Sequence, residues 1–356
     1  MWQDTVSWQR ASYGRVLIVP MNPRVSVILP FRNAAETIGR ALRSLQCQSL
    51  REIEVLAVDD RSTDAGPALV RSFQAEDSRV RLFESNAPHG VVAAINTAWP
   101  LCRASMIARM DADDVSFPRR LECQLDLFNR DPLLSCAGCQ VEIPGADEGF
   151  LRYLDWSNSL LSPESIARER FVECPVVNPT MFARREVLES VGGHVDSPWA
   201  EDYDLWLRIL AAGHRVAKVP EILYQWNDDR PGRLTRSDPR YSRENFMRAR
   251  AHYLASLPQA ERGFAICGAG PTGKTLARFL LEEGASVLWF HDVSKGRIGE
   301  RIGGIRVLGG APIASSGPGR NGPVFLSCVG SPGGRERVRR LLEDAGQEGQ
   351  DFFCCA

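Results

Sequence analysis

Lysine is nearly missing from this 356-residue chain: Lys218, Lys274 and Lys295 are the only ones, and arginine supplies the other cations. Histidine is scarce, five in all, and 43 basic side chains against 44 acidic ones leave a net charge of -1. A chain so balanced lacks the basic excess by which nucleic-acid binders neutralise phosphates, so no nucleic-acid partner is expected. Long apolar runs are missing as well. VSVILPF at 25–31 is the longest comparable stretch, far below the ~18 residues that cross a bilayer. The N-terminus, MWQDTVSWQR, has no basic-then-apolar leader. These absences predict a cytoplasmic protein with no transmembrane segment, whose only membrane contact is peripheral.

Cysteine is present but thinly spread, at 47, 102, 123, 136, 139, 174, 267, 328, 354 and 355. That spacing is too sparse for a disulfide scaffold and predicts reduced thiols. Cys136 and Cys139 form a lone CxxC without a second pair or a histidine at zinc spacing, so packing in or after a strand is expected. Cys354-Cys355 looks like a lipidation signal, but Ala356 follows and no polybasic tract precedes it. A plain tail is expected there. With 44% hydrophobic and 24% charged residues the composition is that of a globular protein, and the length allows two domains.

Residues 1–24 form an extension without clear periodicity. VSVIL (25–29) and IEVLAV (53–58) then read as buried strands, with a short strand at 79–84 and another at SMIARM (105–110). Helices are expected near 65–76 and 91–102. A further helix is expected from Asn33 to 46, with Glu36 at capping-box spacing. Strands alternating with helices, each strand apolar throughout, predict an α/β fold whose mostly parallel sheet is sandwiched by helices. Ligands on such sheets bind at the carboxyl ends of the strands.

Those ends are acidic. Asp59-Asp60 follows the second strand, and Asp111-Ala112-Asp113-Asp114 follows SMIARM. Bare clusters at neighbouring strand ends repel one another, so cations or hydrogen-bond donors are expected between them. An Asp-x-Asp on a short loop presents hard oxygen ligands suited to Mg²⁺ or Mn²⁺, and such a site completes its shell with substrate phosphates. Further on, WAEDYDLWLRILAAG (199–213) reads as a helix with Leu205, Trp206, Ile209 and Leu210 on one face and Gly213 at its end. Glu201 and Asp202 in its first turn either complement the helix dipole or hold a carboxylate rigidly as a general base.

The order VSVILPFRN, VDDRSTD, NAPHGVVAAIN, MDADD, EDYDLWLR resembles the family 2 glycosyltransferases of GT-A fold. The resemblance covers about 25–228, and 25–230 is taken as that domain. It implies transfer, with inversion, of a sugar from a nucleotide diphosphate sugar, most simply a UDP-sugar, to a hydroxyl on a carbohydrate or lipid-linked acceptor. It implies that Pro30, Asp59 and Asp60 meet the nucleoside, Asp60 the base. It implies that Asp111 meets the ribose and that Asp111 and Asp113 hold the metal, with Asp114 an alternative ligand. Asp202, with Glu201 beside it, matches the acid that deprotonates the acceptor. One departure stands out: where many relatives carry a histidine after the last strand, this chain has Trp226-Asn227. Seven arginines between 230 and 250, against Asp238 and Glu244, offer either a solvated helix face or an anion-binding strip. Residues 231–260 are taken as an Arg-rich helical linker.

From 261 to 356 the pattern restarts as a small Rossmann-like domain. GFAIC is followed by GAGPTGKT, a helix to 283 and the strand SVLWFHD. Gly268, Gly270 and Gly273 fit G-x-G-x-x-G, while Gly268, Gly273, Lys274 and Thr275 also fit a P-loop. Asp292 at the end of the next strand favours the dinucleotide arrangement. A nucleotide could sit at this turn, or the glycines serve strand–helix packing. Two other functions compete: an NAD(P)-dependent oxidoreductase using that turn, and a non-catalytic scaffold that has kept the fold.

Overall fold

The computed structural model describes residues 22–86, 88–227, 238–309, 322–331, 333–343 and 346–356. The expected extension at 1–24 therefore falls almost wholly outside the described residues. Two sheets organise the chain. The first is built from β1 (Val25–Phe31), β2 (Ile53–Asp59), β3 (Val80–Glu84), β4 (Met106–Arg109), β5 (Val115–Ser116), β6 (Leu134–Glu142), β7 (Phe182–Arg184) and β8 (Arg215–Gln225). Their order is β3-β2-β1-β4-β7-β6-β8-β5. The first four run parallel, as do β6 and β8, while β7 and β5 run against their neighbours. The helices around it are α1 (Ile38–Gln46), α2 (Gly66–Glu76), α3 (Val91–Ala98), α4 (Arg120–Arg130), α5 (Glu148–Ser159), α6 (Pro163–Glu169), α7 (Arg185–Ser190) and α8 (Glu201–Ala211).

Every residue of β1 and β2 is buried. Val27 and Leu29 join one apolar core and Ile28 the other, which is why these strands read as unbroken apolar runs rather than alternating ones. The fold is thus the α/β, mostly parallel arrangement expected.

A helix, α9 (Arg243–Ala255), leads to the second sheet: β9 (Phe264–Cys267), β10 (Val287–His291), β11 (Arg301–Ile302), β12 (Ile305–Leu308), β13 (Val324–Ser327) and β14 (Phe352–Cys354). Its order is β11-β12-β10-β9-β13-β14, parallel except for the β11–β12 hairpin. Helices α10 (Pro271–Glu282) and α11 (Gly334–Glu343) accompany it. One apolar core runs from Ile28 and Ile107 through Met247 and Leu254 of α9 to Phe264 and Leu280. Among the described residues, no helix is long and apolar enough to cross a membrane.

Two local expectations need correction. The first helix begins at Ile38, not Asn33. Asn33 adopts a left-handed φ of 48°, and its Oδ1 accepts from the Thr63 N–H at 2.8 Å, so it ties the loops after β1 and β2 instead of capping a helix. The chain end is no tail. Phe352 to Cys355 are fully buried, β14 pairs with β13, and Phe353 meets Phe171 edge-to-face at 5.4 Å. Two phenylalanines outweigh the weak signal of the cysteines, which simply fill core space. Cys136 and Cys139 are buried free thiols in β6, as packing predicts.

The glycine turn after β9 is built by contact. A Cβ on Gly273 would lie 2.0 Å from the Gly268 carbonyl oxygen, whereas one on Gly270 meets only Arg297 Nη1 at 3.9 Å. Gly273→Ala is expected to destabilise the protein by roughly 3 kcal/mol through overpacking. Gly270→Ala should be close to neutral. Chemical denaturation of both variants checks this, and equal midpoints would rule out the packing role.

Candidate active site

Strand register decides what meets at the edge of the first sheet. Phe31 stands beside Asp59, and Ile28 beside Arg109. The loops following β1, β2 and β4 therefore open on one side. There lies a cavity of about 1460 Å³, lined among others by Pro30, Asp60, Asp111, Asp113, Glu201 and Asp202. Asp59 stays out of the lining; its Oδ1 accepts from the Ser62 N–H at 2.9 Å and shapes the turn. Asp60 points in. Its Oδ2 accepts from the Gly90 N–H at 3.0 Å, while Oδ1 is buried without a hydrogen-bond partner among the described residues, 3.5 Å from His89 Nδ1.

The Asp111–Asp114 loop is held from behind. Carboxylate oxygens of Asp111, Asp113 and Asp114 lie within 4.8 Å of one another. Asp114 is fully buried, accepting from Tyr224 Oη at 2.7 Å and from the Asn227 N–H at 2.8 Å. Burial, reinforced by Asp111 and Asp113, drives its carboxyl well above the ordinary range. Asp113 and Asp111 are half-exposed to the cavity. The Asp113 carbonyl oxygen accepts from Arg40 Nη2 (2.9 Å) and Asn227 Nδ2 (2.7 Å). Asn227 thus braces the acidic loop, and its own Oδ1 is taken by Gln225 Nε2 at 2.7 Å.

Across the cavity, α8 offers Glu201 and Asp202 from its first turn. Burial and then Glu201 push the Asp202 carboxyl up to about 7, against the pull of the Tyr203 N–H and Arg109. Tyr241 Oη donates to Glu201 Oε2 at 2.5 Å. Between the two acidic groups lies Arg109, at the end of β4, with Nη2 3.0 Å from Asp111 Oδ1. Burial works against its charge, but Asp111, Glu201, Tyr241 and Asp202 more than offset this and raise its pKa. Repulsion between the clusters is relieved by this side chain, a cation of the kind the acidic strand ends call for, though its position was not anticipated. The available signal was an arginine inside an otherwise apolar strand. Asp204, one turn position on, is structural: it accepts from Trp199 Nε1 (2.9 Å), Tyr253 Oη (2.8 Å) and Arg208 Nε (2.7 Å).

The arginine-rich stretch divides. Arg230, Arg233 and Arg236 lie outside the described residues. Arg240 pairs with Asp238 and Asp196, Arg248 with Glu244 and Glu282, and Arg250 is buried against Glu173 and the Cys355 carbonyl. Arg243 lines the cavity. In the second sheet, Asp292 sits at the glycine turn, but it accepts from the Ala269 N–H (2.9 Å), the Ser294 N–H (2.8 Å) and Arg297 Nη1 (3.1 Å). Its carboxylate is engaged by its own loop. Gly268 and Gly273 are in tight contact, and Gly270 is open.

Residues 26–192 match the family model "Glycosyl transferase family 2". The amylovoran biosynthesis glycosyltransferase AmsE of Erwinia amylovora is 28% identical over 200 residues, covering 56% of this chain and 73% of that protein. The Escherichia coli UDP-Gal:alpha-D-GlcNAc-diphosphoundecaprenol beta-1,3-galactosyltransferase is 24% identical over 206 residues, 56% of this chain and 73% of its own. The crystal structure of S. aureus TarS residues 1–349 in complex with UDP-GlcNAc superposes with a TM-score of 0.54 at 19% identity, covering 72% of this chain and 71% of that one. That likeness establishes the fold. Residues 26–192 of this chain thus match family 2 glycosyltransferases in sequence, and the chain has the fold of the GT-A enzymes.

Proposed function

We propose that the chain is an inverting, divalent-metal-dependent glycosyltransferase that moves a sugar from a UDP-sugar to a hydroxyl of a growing polysaccharide or lipid-linked glycan. The observation that carries this is the placement of Asp111 and Asp113 opposite Asp202 around one cavity. Inversion is a single in-line displacement, so one base must take the acceptor proton as the diphosphate leaves. Asp202, poised near neutrality, has the pKa such a base needs. Asp60 Oδ1, buried and lacking a hydrogen-bond donor among the described residues, suits the N3–H of a uracil ring, with Pro30 in the same lining. The relatives support the class: one is named for a polysaccharide, another for a UDP-sugar and a lipid diphosphate acceptor, and TarS holds UDP-GlcNAc.

Two half-exposed carboxylates on a short braced loop are the oxygen donors that Mg²⁺ or Mn²⁺ prefers, and the donor diphosphate would complete the shell. Bound there, the metal offsets charge developing on the leaving group. Asp114, buried and tied to Tyr224 and Asn227, serves as the loop's anchor rather than as a ligand. Residues 261–356 fit a Rossmann-like unit reached through the 231–260 linker. The engagement of Asp292 favours a packing role for its glycine turn over NAD(P) chemistry.

The test is nucleotide release from UDP-, GDP- and dTDP-sugars with Mn²⁺ or Mg²⁺. Release from a UDP-sugar with either metal is expected. No release from any donor, or undiminished release in excess EDTA, overturns the reading.

A further inference from the structure

The cavity of about 1460 Å³ is larger than the ~300–1,000 Å³ of an ordinary small-molecule pocket. Its lining draws on two parts of the chain. Pro30, Asp60, Asp111 and Asp113 come from the loops of the first sheet. Arg243, Phe246 and Met247 of α9, Thr272 at the start of α10, and Gly330 after β13 add a further stretch of wall. None of these five belongs to the segment that matches the family model.

We propose that this further stretch is an acceptor subsite, and that it takes a glycoside extending at least one sugar beyond the ring that carries the reacting hydroxyl. The C-terminal unit then selects acceptor length. The inference rests on the transferase reading above and adds the class of acceptor to it.

Three features support it. The wall is locked to the helix that carries Asp202: Phe246 stacks on Tyr203 at 5.2 Å, and Tyr253 Oη donates to Asp204 Oδ1 at 2.8 Å. A ligand against α9 is therefore held in fixed relation to the base. The chemistry of the wall suits sugar. Arg243 forms no ion pair among the described residues, and its Nη2 lies 3.3 Å from Thr272 Oγ1. Its planar fork of donors beside the apolar Phe246 and Met247 offers hydrogen bonds to hydroxyls and a surface for C–H faces. Finally, the glycine turn of the second sheet has its own demands met internally, through Gly268, Gly273 and Asp292. What that sheet presents outward, at Thr272 and Gly330, is a wall of the transferase cavity.

Binding energy from the remote ring would improve use of the longer acceptor. The experiment uses the full chain, its metal and its donor, with p-nitrophenyl monosaccharides and matched p-nitrophenyl disaccharides as acceptors. The disaccharide is expected to show the lower KM. Arg243→Ala should raise KM for the disaccharide about tenfold, the loss of a charge-assisted hydrogen bond. It should leave KM for the monosaccharide and hydrolysis of the donor unchanged. Thr272→Trp, which fills the wall and removes the Thr272 Oγ1 contact of Arg243 Nη2, should do the same. Equal KM values for the two wild-type acceptors, or a variant effect shared by both acceptors, overturns the subsite. So does donor hydrolysis without transfer to any glycoside. A wild type that releases no nucleotide from any donor overturns the transferase reading and the subsite with it, which distinguishes the two failures.

Discussion

Asp202→Asn is expected to cut the transfer rate by about 10²–10⁴, the usual contribution of a positioned general base, while donor affinity stays near that of the wild type. The substitution is nearly isosteric, and the Asp202 Oδ1 contact with the Tyr203 N–H at 2.7 Å can be kept by the amide oxygen. What is lost is the capacity to take a proton. Because burial and Glu201 lift the Asp202 carboxyl to about 7, the basic form is only partly populated at neutral pH. The wild-type rate should fall about tenfold per unit as pH drops below 7 and level off above it. That acid limb should vanish in the variant. Stability should move the other way. A carboxyl raised from 3.8 to about 7 binds its proton more tightly folded than unfolded, so folding stability falls as pH rises through that window. The Asn variant escapes this cost and should be at least as stable as wild type at pH 8. Normal transfer by the variant, or an unchanged acid limb, would remove Asp202 from the mechanism.

How much of this was legible in the residues depends on where the physics is local. The acidic strand ends were readable because β1, β2 and β4 are buried throughout, leaving their polar punctuation at the exits. The first helix was misplaced because Asn33 looks like a cap, yet its side chain is claimed by Thr63, 30 positions on. A cap and a loop tie use the same short polar residue, and only the tertiary partner separates them. The buried strand at 352–354 was missed for the opposite reason: three residues are too few to show a period. The composition of 143–180 is loop-like, yet Asp147 caps α5 through the Phe150 N–H and Ser162 forms a capping box with Ser165. Those signals were present in the chain and outweighed by loop-like composition.

The site residues that sequence reading did not single out, Arg109 and Tyr241, share a feature: each acts between elements. Arg109 leaves β4 and lies between Asp111 of the loop and the acids of α8. Tyr241 comes from the approach to α9 and reaches Glu201. The charge balance of the site is thus set by side chains from three separate stretches, and no spacing along the chain encodes it. Removing Arg109 leaves three carboxylates facing one another at low dielectric, which explains why a buried guanidinium is retained at the edge of an apolar strand.

Asp113→Asn is the companion result on the metal side, and turnover is expected to fall by about 10³ because charge on the leaving diphosphate is no longer offset as well. The fold should be indifferent. The loop is held through the Asp113 backbone carbonyl, which accepts from Arg40 and Asn227, so changing the side chain leaves those bonds in place. Relief of repulsion among Asp111, Asp113 and Asp114 should if anything favour folding. Asp114→Ala should behave in the reverse sense. It strips the acceptor from Tyr224 Oη and the Asn227 N–H, both buried, and is expected to lower stability by roughly 2–3 kcal/mol. Calorimetric titration of Mn²⁺ in the presence of UDP should show wild-type affinity reduced about tenfold or more in Asp113→Asn, with the melting temperature unmoved. Mn²⁺ affinity equal to wild type in that variant would mean the acidic loop holds no metal, and the charge on the leaving group would have to be met by arginine instead.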